Sequence, residues 1–151
     1  LESVPFPYGS FDVVTLWDVF EHVLDPHRTL ETIRALLKPD GLLVINTPDA
    51  GSFYARLMGT RWPLIIPPEH LHLFGEKNLR PLLAQHGFAW ASKGYIGKSY
   101  TPAYIFQILS TVRKNAFWKR MSNWIHETPL NTLSIPIHLR DNMFVIARKT
   151  P

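Results

Sequence analysis

Two apolar runs with little alternation, Phe11-Asp12-Val13-Val14-Thr15-Leu16 and Leu42-Leu43-Val44-Ile45-Asn46, flank a stretch in which apolar residues recur every three or four positions. Such runs are expected of parallel strands buried on both faces. Between them the spacing predicts one helix, with Leu30, Ile33 and Leu37 on its inner face and Arg28, Glu31 and Arg34 turned to water. Asp25 suits its N-cap, because a carboxylate there can accept from unpaired backbone N–H groups, and Pro26 suits the first helical position. Lys38-Pro39-Asp40-Gly41 should end it, with Lys38 complementing the negative end of the helix. A strand, a crossover helix and a strand make a right-handed parallel unit, and open sheets of this kind bind ligands at the carboxyl ends of their strands. The elbow 17–23 and the loop opening at Thr47-Pro48-Asp49 lie at those ends.

Beyond residue 50 the pattern loosens. Gly51, Gly59, Pro63, Pro67 and Pro68 leave room only for a short helix over 52–58. A second helix is predicted over 76–86, with Leu79, Leu82, Leu83 and His86 on one face, Gly87 closing it and Pro81 near its first turn. A strand follows over 89–95. The segment 101–125 is helical in composition, but Tyr104, Ile108, Leu109 and Val112 cluster opposite Phe117, Met121 and Trp124, so two short helices with a break near Lys114-Asn115 are expected. Residues 127–139 read as turns, with Pro129 and Pro136, and Met143 to Ala147 form a last strand.

Composition places the 151 residues in one globular domain, 46% hydrophobic and 19% charged. The absence of cysteine fits a reducing compartment and excludes a disulfide framework or a thiolate metal site. No run approaches the ~18 apolar residues of a membrane span, and no basic flank leads into an apolar run, so a cytoplasmic location is expected. The net charge of +4 is unevenly spread: residues 1–50 hold eight acids against Arg28, Arg34 and Lys38, while 93–126 hold six bases and no acid. That basic stretch could draw phosphates, anionic lipid or an acidic substrate, although a solvated charged face is the commoner reason for one.

The motifs Phe11-Asp12-Val13-Val14, Glu21-His22-Val23, Asp25-Pro26 and Leu37-Lys38-Pro39-Asp40-Gly41, in that order and spacing, resemble the later motifs of class I S-adenosylmethionine-dependent methyltransferases of the small-molecule type. Val4-Pro5-Phe6-Pro7-Tyr8-Gly9-Ser10 resembles the family's lead-in to its fourth strand, and Pro68-Glu69-His70-Leu71-His72-Leu73-Phe74 a loop bordering its substrate pocket. The resemblance implies an α/β fold: the C-terminal half of a Rossmann-like methyltransferase sheet, parallel but for an antiparallel last strand between the fifth and sixth. It implies one partial domain over 1–151, with a helical insertion or lid over 97–139. The eight glycines include no G-x-G, so the family's cofactor-binding glycine loop has no counterpart here. The chain accordingly reads as a natural or experimental fragment, expected to bind cofactor poorly alone and to self-associate through the open edge of its first strand.

Methyl transfer from a sulfonium asks mainly for alignment and dehydration, because the leaving group is neutral. A hydroxyl acceptor also has to lose a proton, which suits histidine. His22, His70 and His72 are the catalytic candidates. By resemblance Leu16, Trp17, Asp18 and Val19 would lie against the methionine part of S-adenosylmethionine, with Phe20, Glu69 and Tyr104 meeting the substrate. Plainer readings stand beside these: His22 bracing the helix start through Asp25, Asp18 as a solvated acid, and the aromatic residues of 104–124 as core. His70 and His72 alternate as on a strand and would share a face. With Glu69 they lack a third ligand at fixed spacing, so no metal site is expected.

The function implied is methyl transfer from S-adenosylmethionine to a small molecule, with oxygen the expected acceptor atom. The alternative is a non-catalytic module that binds a partner or an anionic membrane surface through the basic aromatic segment 93–126. Nucleic acid is the weakest reading, since the charges are few and no recognised motif accompanies them.

Overall fold

The computed structural model describes residues 5–113 and 115–151. Of the expected features, Val4 of the lead-in and Lys114 of the helix break lie outside these residues. The chain forms two compact units, Leu1–Ile96 with Arg140–Pro151, and Gly97–Leu139.

In the first unit the two apolar runs become β1 (Phe11–Trp17) and β2 (Leu37–Pro48), paired in parallel with Trp17 opposite Asn46. Helix α1 (Pro26–Leu36) joins them, and Asp25 caps it by accepting the Arg28 N–H at 3.0 Å. Helices α2 (Phe53–Met58) and α3 (Glu76–Gln85) follow, then β3 (Phe88–Tyr95). The last strand of the chain, β6 (Asn142–Lys149), runs antiparallel between β2 and β3, so the sheet order is β1-β2-β6-β3.

Burial on this sheet alternates, contrary to the expectation of two covered faces. Leu43, Ile45, Met143, Val145 and Ala147 are buried under Leu30 and Ile33 of α1 and Leu79 and Leu83 of α3. Leu42, Val44, Phe144 and Ile146 on the opposite face are only half-buried, because both helices pack on one side. Strand β1 is the sheet's edge, with Val13 and Trp17 exposed.

Several local expectations are corrected. Leu37 belongs to β2 and is wholly buried, and Asp40 turns at φ 59° inside that strand. Lys38 pairs with Asp12 at 2.8 Å, while the carbonyls ending α1 are met by Lys149, whose Nζ donates to Arg34 O at 2.8 Å and Leu37 O at 2.7 Å. Arg34 turns inward: Nη1 donates to Gly87 O and Thr150 O, each at 2.9 Å. Gly87, at φ 69°, lies against that guanidinium, and a Cβ there would stand 2.6 Å from Nη1. Pro81 sits inside α3 rather than in its first turn, and Asn78 serves the helix start by accepting the Gly75 N–H at 2.8 Å.

The second unit holds α4 (Pro102–Arg113) and α5 (Ala116–His126), the latter capped by Asn115, which accepts the Phe117 N–H at 2.9 Å. Phe106 stacks on Trp118, and Ser122 Oγ donates to Ala103 O. A short antiparallel pair, β4 (Lys98–Tyr100) with β5 (Ile135–Ile137), was not expected from the turn-rich 127–139. Among the described residues no helix is long and apolar enough to cross a membrane.

Two outcomes follow from this packing. Arg34→Ala should lower the unfolding free energy by about 2 kcal/mol in urea titration, since it strands carbonyls served by a charged donor. No change would mean that water serves them equally well. Among the described residues the outer edge of β1 has no strand partner, and we propose that this chain pairs through it, so sedimentation should show reversible association that Val13→Lys weakens. A single monomeric species at all concentrations would refute it.

Candidate functional site

At the carboxyl end of β1 the chain turns sharply, with Asp18 at φ 49° and a single 3-10 turn over Phe20–His22. The Asp18 N–H donates to Asn46 O at 3.0 Å, and the Asp18 carboxylate accepts from Asn46 Nδ2 at 2.9 Å. This joins the elbow to the end of β2. Trp17 and Val19 remain exposed on either side, while Leu16 is buried in the core. Asn46 Oδ1 is buried without a partner among the described residues, leaving an unsatisfied acceptor at the elbow. Val19 also borders a cavity of about 280 Å³ with Val23, Leu24 and Asp25.

Phe20 has no exposed surface and stacks on Phe74 with ring centroids 4.8 Å apart. Its side chain is core, not the substrate contact expected of it. Beside it Glu21, 1% exposed, receives the Thr47 hydroxyl on Oε2 at 2.9 Å. The Glu21 carbonyl accepts two N–H groups, from Leu71 at 2.9 Å and His72 at 3.1 Å, and so draws the loop over 64–74 against the elbow.

That loop brings His70 to His22, with ring centroids 4.8 Å apart. His22 Nδ1 donates to Glu69 O at 2.6 Å and His70 Nδ1 donates to Leu64 O at 2.6 Å. Since a carbonyl can only accept, each Nδ1 carries a proton, which places the lone pair of the neutral tautomer on Nε2. His22 does not brace Asp25, which is engaged by Arg28 N–H. Glu69 takes part through its carbonyl, with its side chain in an exposed turn.

His72 does not share a face with His70. No strand forms over 68–74, and His72 Nε2 instead donates to Val23 O at 3.0 Å while the ring stacks on Phe74. Tyr104 lies on α4 in the second unit, stacked on Tyr100 at 5.2 Å.

Glu21, His22 and His70 each offer a ligand atom, all within 4.8 Å of one another. The trio is chemically able to take a proton from a bound hydroxyl or to hold a divalent cation. Glu21 and Thr47 were not singled out as site residues. The signal available was an acid beside a histidine in a polar elbow, opposite a threonine ending the neighbouring strand.

Residues 1–93 match a family described as a methyltransferase domain. The chain belongs to the S-adenosylmethionine-dependent methyltransferase family. Curated relatives include ubiquinone biosynthesis O-methyltransferases. One from Glaesserella parasuis is 37% identical over 74 residues, 48% of this chain and 31% of that protein. One from Maricaulis maris is 32% identical over 100 residues, 62% of this chain and 39% of its own length. The alignments thus reach about a third of these relatives. Among solved structures, an S-adenosylmethionine-dependent methyltransferase of Thermotoga maritima superposes on 99% of the chain and 61% of its own, with a TM-score of 0.59 at 17% identity. One from Methanosarcina mazei gives 0.53 at 19% identity, covering 98% of this chain and 63% of that one. At such identities these two establish the Rossmann-like methyltransferase fold. S-adenosylmethionine is the cofactor that family and fold imply, and the exposed Trp17 and Val19 beside an unsatisfied buried acceptor on Asn46 fit one flank of such a ligand.

The tautomers are directly measurable. Long-range ¹⁵N–¹H correlation at neutral pH should show the proton of His22 and His70 on Nδ1, and that of His72 on Nε2. A common Nε2–H tautomer for all three would contradict the carbonyl contacts.

Proposed function

We propose that this chain carries the acceptor side of an S-adenosylmethionine-dependent O-methyltransferase for a small hydroxyl-bearing molecule. The observation that carries this reading is the cluster of His22, His70 and the buried Glu21, each with a ligand atom within 4.8 Å of the others, and with both Nδ1 atoms turned to backbone carbonyls. The similarity to ubiquinone biosynthesis O-methyltransferases favours oxygen as the acceptor atom. The family match over residues 1–93 favours an enzyme over an interaction module.

The bound cofactor supplies an electrophilic methyl group on a sulfonium that departs as a neutral thioether. The Trp17-Asp18-Val19 elbow, including the backbone at Leu16, orients its methionine part. His22 Nε2 would take the proton of the acceptor hydroxyl. Glu21 stabilises the imidazolium so formed, and His70 holds the acceptor against it. His72 positions the loop.

A second reading rests on the same anchoring of Nδ1 by backbone carbonyls, which is how metal-ligating histidines are commonly oriented. In it Glu21, His22 and His70 would hold a divalent cation, which would supply Lewis acidity to the acceptor hydroxyl.

In a form of the protein that binds S-adenosylhomocysteine, His22→Ala should slow methyl transfer to a phenolic acceptor by about 10²–10⁴-fold while leaving that binding unchanged by calorimetry. His72→Ala should cost stability and spare the rate. Retained activity in His22→Ala would remove the base. Loss of activity in EDTA, restored by a divalent ion, would select the metal reading, and indifference to EDTA the base.

A further inference from the structure

A cavity of about 950 Å³ opens between the end of β2, the first turns of α3 and the end of β3. Glu21, His22 and His70 are not among its lining residues. Its volume is at the upper end of the ~300–1,000 Å³ typical of small-molecule sites.

The most buried group lining it is Asp49, whose side chain is 2% exposed. Oδ1 accepts the Gly51 N–H at 2.9 Å, and Oδ2 accepts from Lys93 Nζ at 2.9 Å. Lys93 also stands 3.6 Å from Glu76 Oε2 and 5.0 Å from the centre of the Tyr95 ring. Burial alone would pull the Lys93 pKa down, but Asp49 and Tyr95 together hold it above the ordinary lysine value. Its ammonium is therefore a fixed feature of the cavity.

Arg56, Lys77, Arg80 and Lys93 line the space against Asp49 and Glu76, four cations to two acids. Both acids are engaged, Asp49 by Lys93 and Glu76 by Arg80 at 3.3 Å. Arg56 and Lys77 have no carboxylate within ion-pair distance among the described residues. Leu73, Pro81, Ala84 and Tyr95 supply apolar walls. Inorganic phosphate would satisfy the charges and leave those walls wet. A neutral apolar molecule would fill the walls and leave the cations unanswered.

We infer that this cavity binds a small organic carboxylate with an apolar or aromatic body. The head group is drawn to Arg56 and Lys77, and the body packs against Leu73, Pro81 and Tyr95. Here the site goes beyond methyl transfer, and its test needs no activity.

Benzoate titrated into the ¹⁵N-labelled protein should shift the amides of Ala84, Lys93 and Tyr95 along one saturable curve. Benzyl alcohol, its neutral counterpart, and inorganic phosphate should each bind at least about tenfold more weakly, a loss of 1.4 kcal/mol or more. The double variant Arg56→Ala/Lys77→Ala, altered only at exposed side chains, should lose the same factor for benzoate. Equal binding of phosphate would overturn the apolar body. Equal binding of benzyl alcohol, or an unaffected double variant, would overturn the carboxylate head. Shifts that fail to saturate, or that fall outside the lining residues, would overturn the site.

Discussion

Burying an ionisable side chain is tolerated only when its polar atoms find partners, and Glu21 meets that condition by tying three segments together. Its carboxylate takes the Thr47 hydroxyl at the end of β2, and its carbonyl takes two N–H groups of the loop leading to α3. The elbow after β1 is a single 3-10 turn, too short to satisfy its own backbone, so the loop completes it. His22 and His70 then face one another from chain segments 48 positions apart in sequence, from 22 to 70. Glu21 thus gives the elbow, the strand end and the loop a common point, reinforced by the Asp18–Asn46 bonds and by His22 Nδ1 on Glu69 O.

The parts of the fold legible in the sequence are those in which one residue type meets one local need. Asp25 with Pro26 announces a helix start, Gly87 a left-handed turn, and unbroken β-branched runs a sheet. What was not legible depends on partners far along the chain. Lys38 looked suited to cap α1, yet Lys149 does so from β6, because the neighbouring antiparallel strand carries its ammonium over the exposed carbonyls. Arg34 looked like a water-facing residue until the backbone at Gly87 and Thr150 offered it acceptors. The spacing of His70 and His72 suggested a shared face, but alternation has that meaning only in a strand, and here each ring follows its own carbonyl. Pro136 argued for a turn, although a three-residue strand paired on one side accommodates it.

Family resemblance helped most where the residues alone were silent. Nothing in the pattern of 143–147 states which neighbours that strand takes, and its place between β2 and β3 came from the resemblance. The burial of the sheet was the reverse case. Apolar runs implied two covered faces, but with both helices on one side, Val13 and Trp17 are left open on an edge strand. Hydrophobic residues record a need for cover, and a sequence does not say what supplies it.

Placing an antiparallel strand inside a parallel sheet also shapes the rim where ligands are expected. Strands lie about 4.8 Å apart, so β6 separates the carboxyl ends of β2 and β3 by roughly 10 Å. The strand itself brings its N-terminal end to that rim, where the Asp49 N–H donates to Asp141 O at 2.8 Å. Lysine is long enough to span such a gap, and Lys93 reaches from β3 to the Asp49 carboxylate just past β2. On the other side of β2 no strand intervenes, so the elbow bonds directly to Asn46 and the groups gathered there are imidazoles and a carboxylate. One strand insertion thus leaves two unlike environments along a single edge, one that can accept a proton and one that attracts an anion.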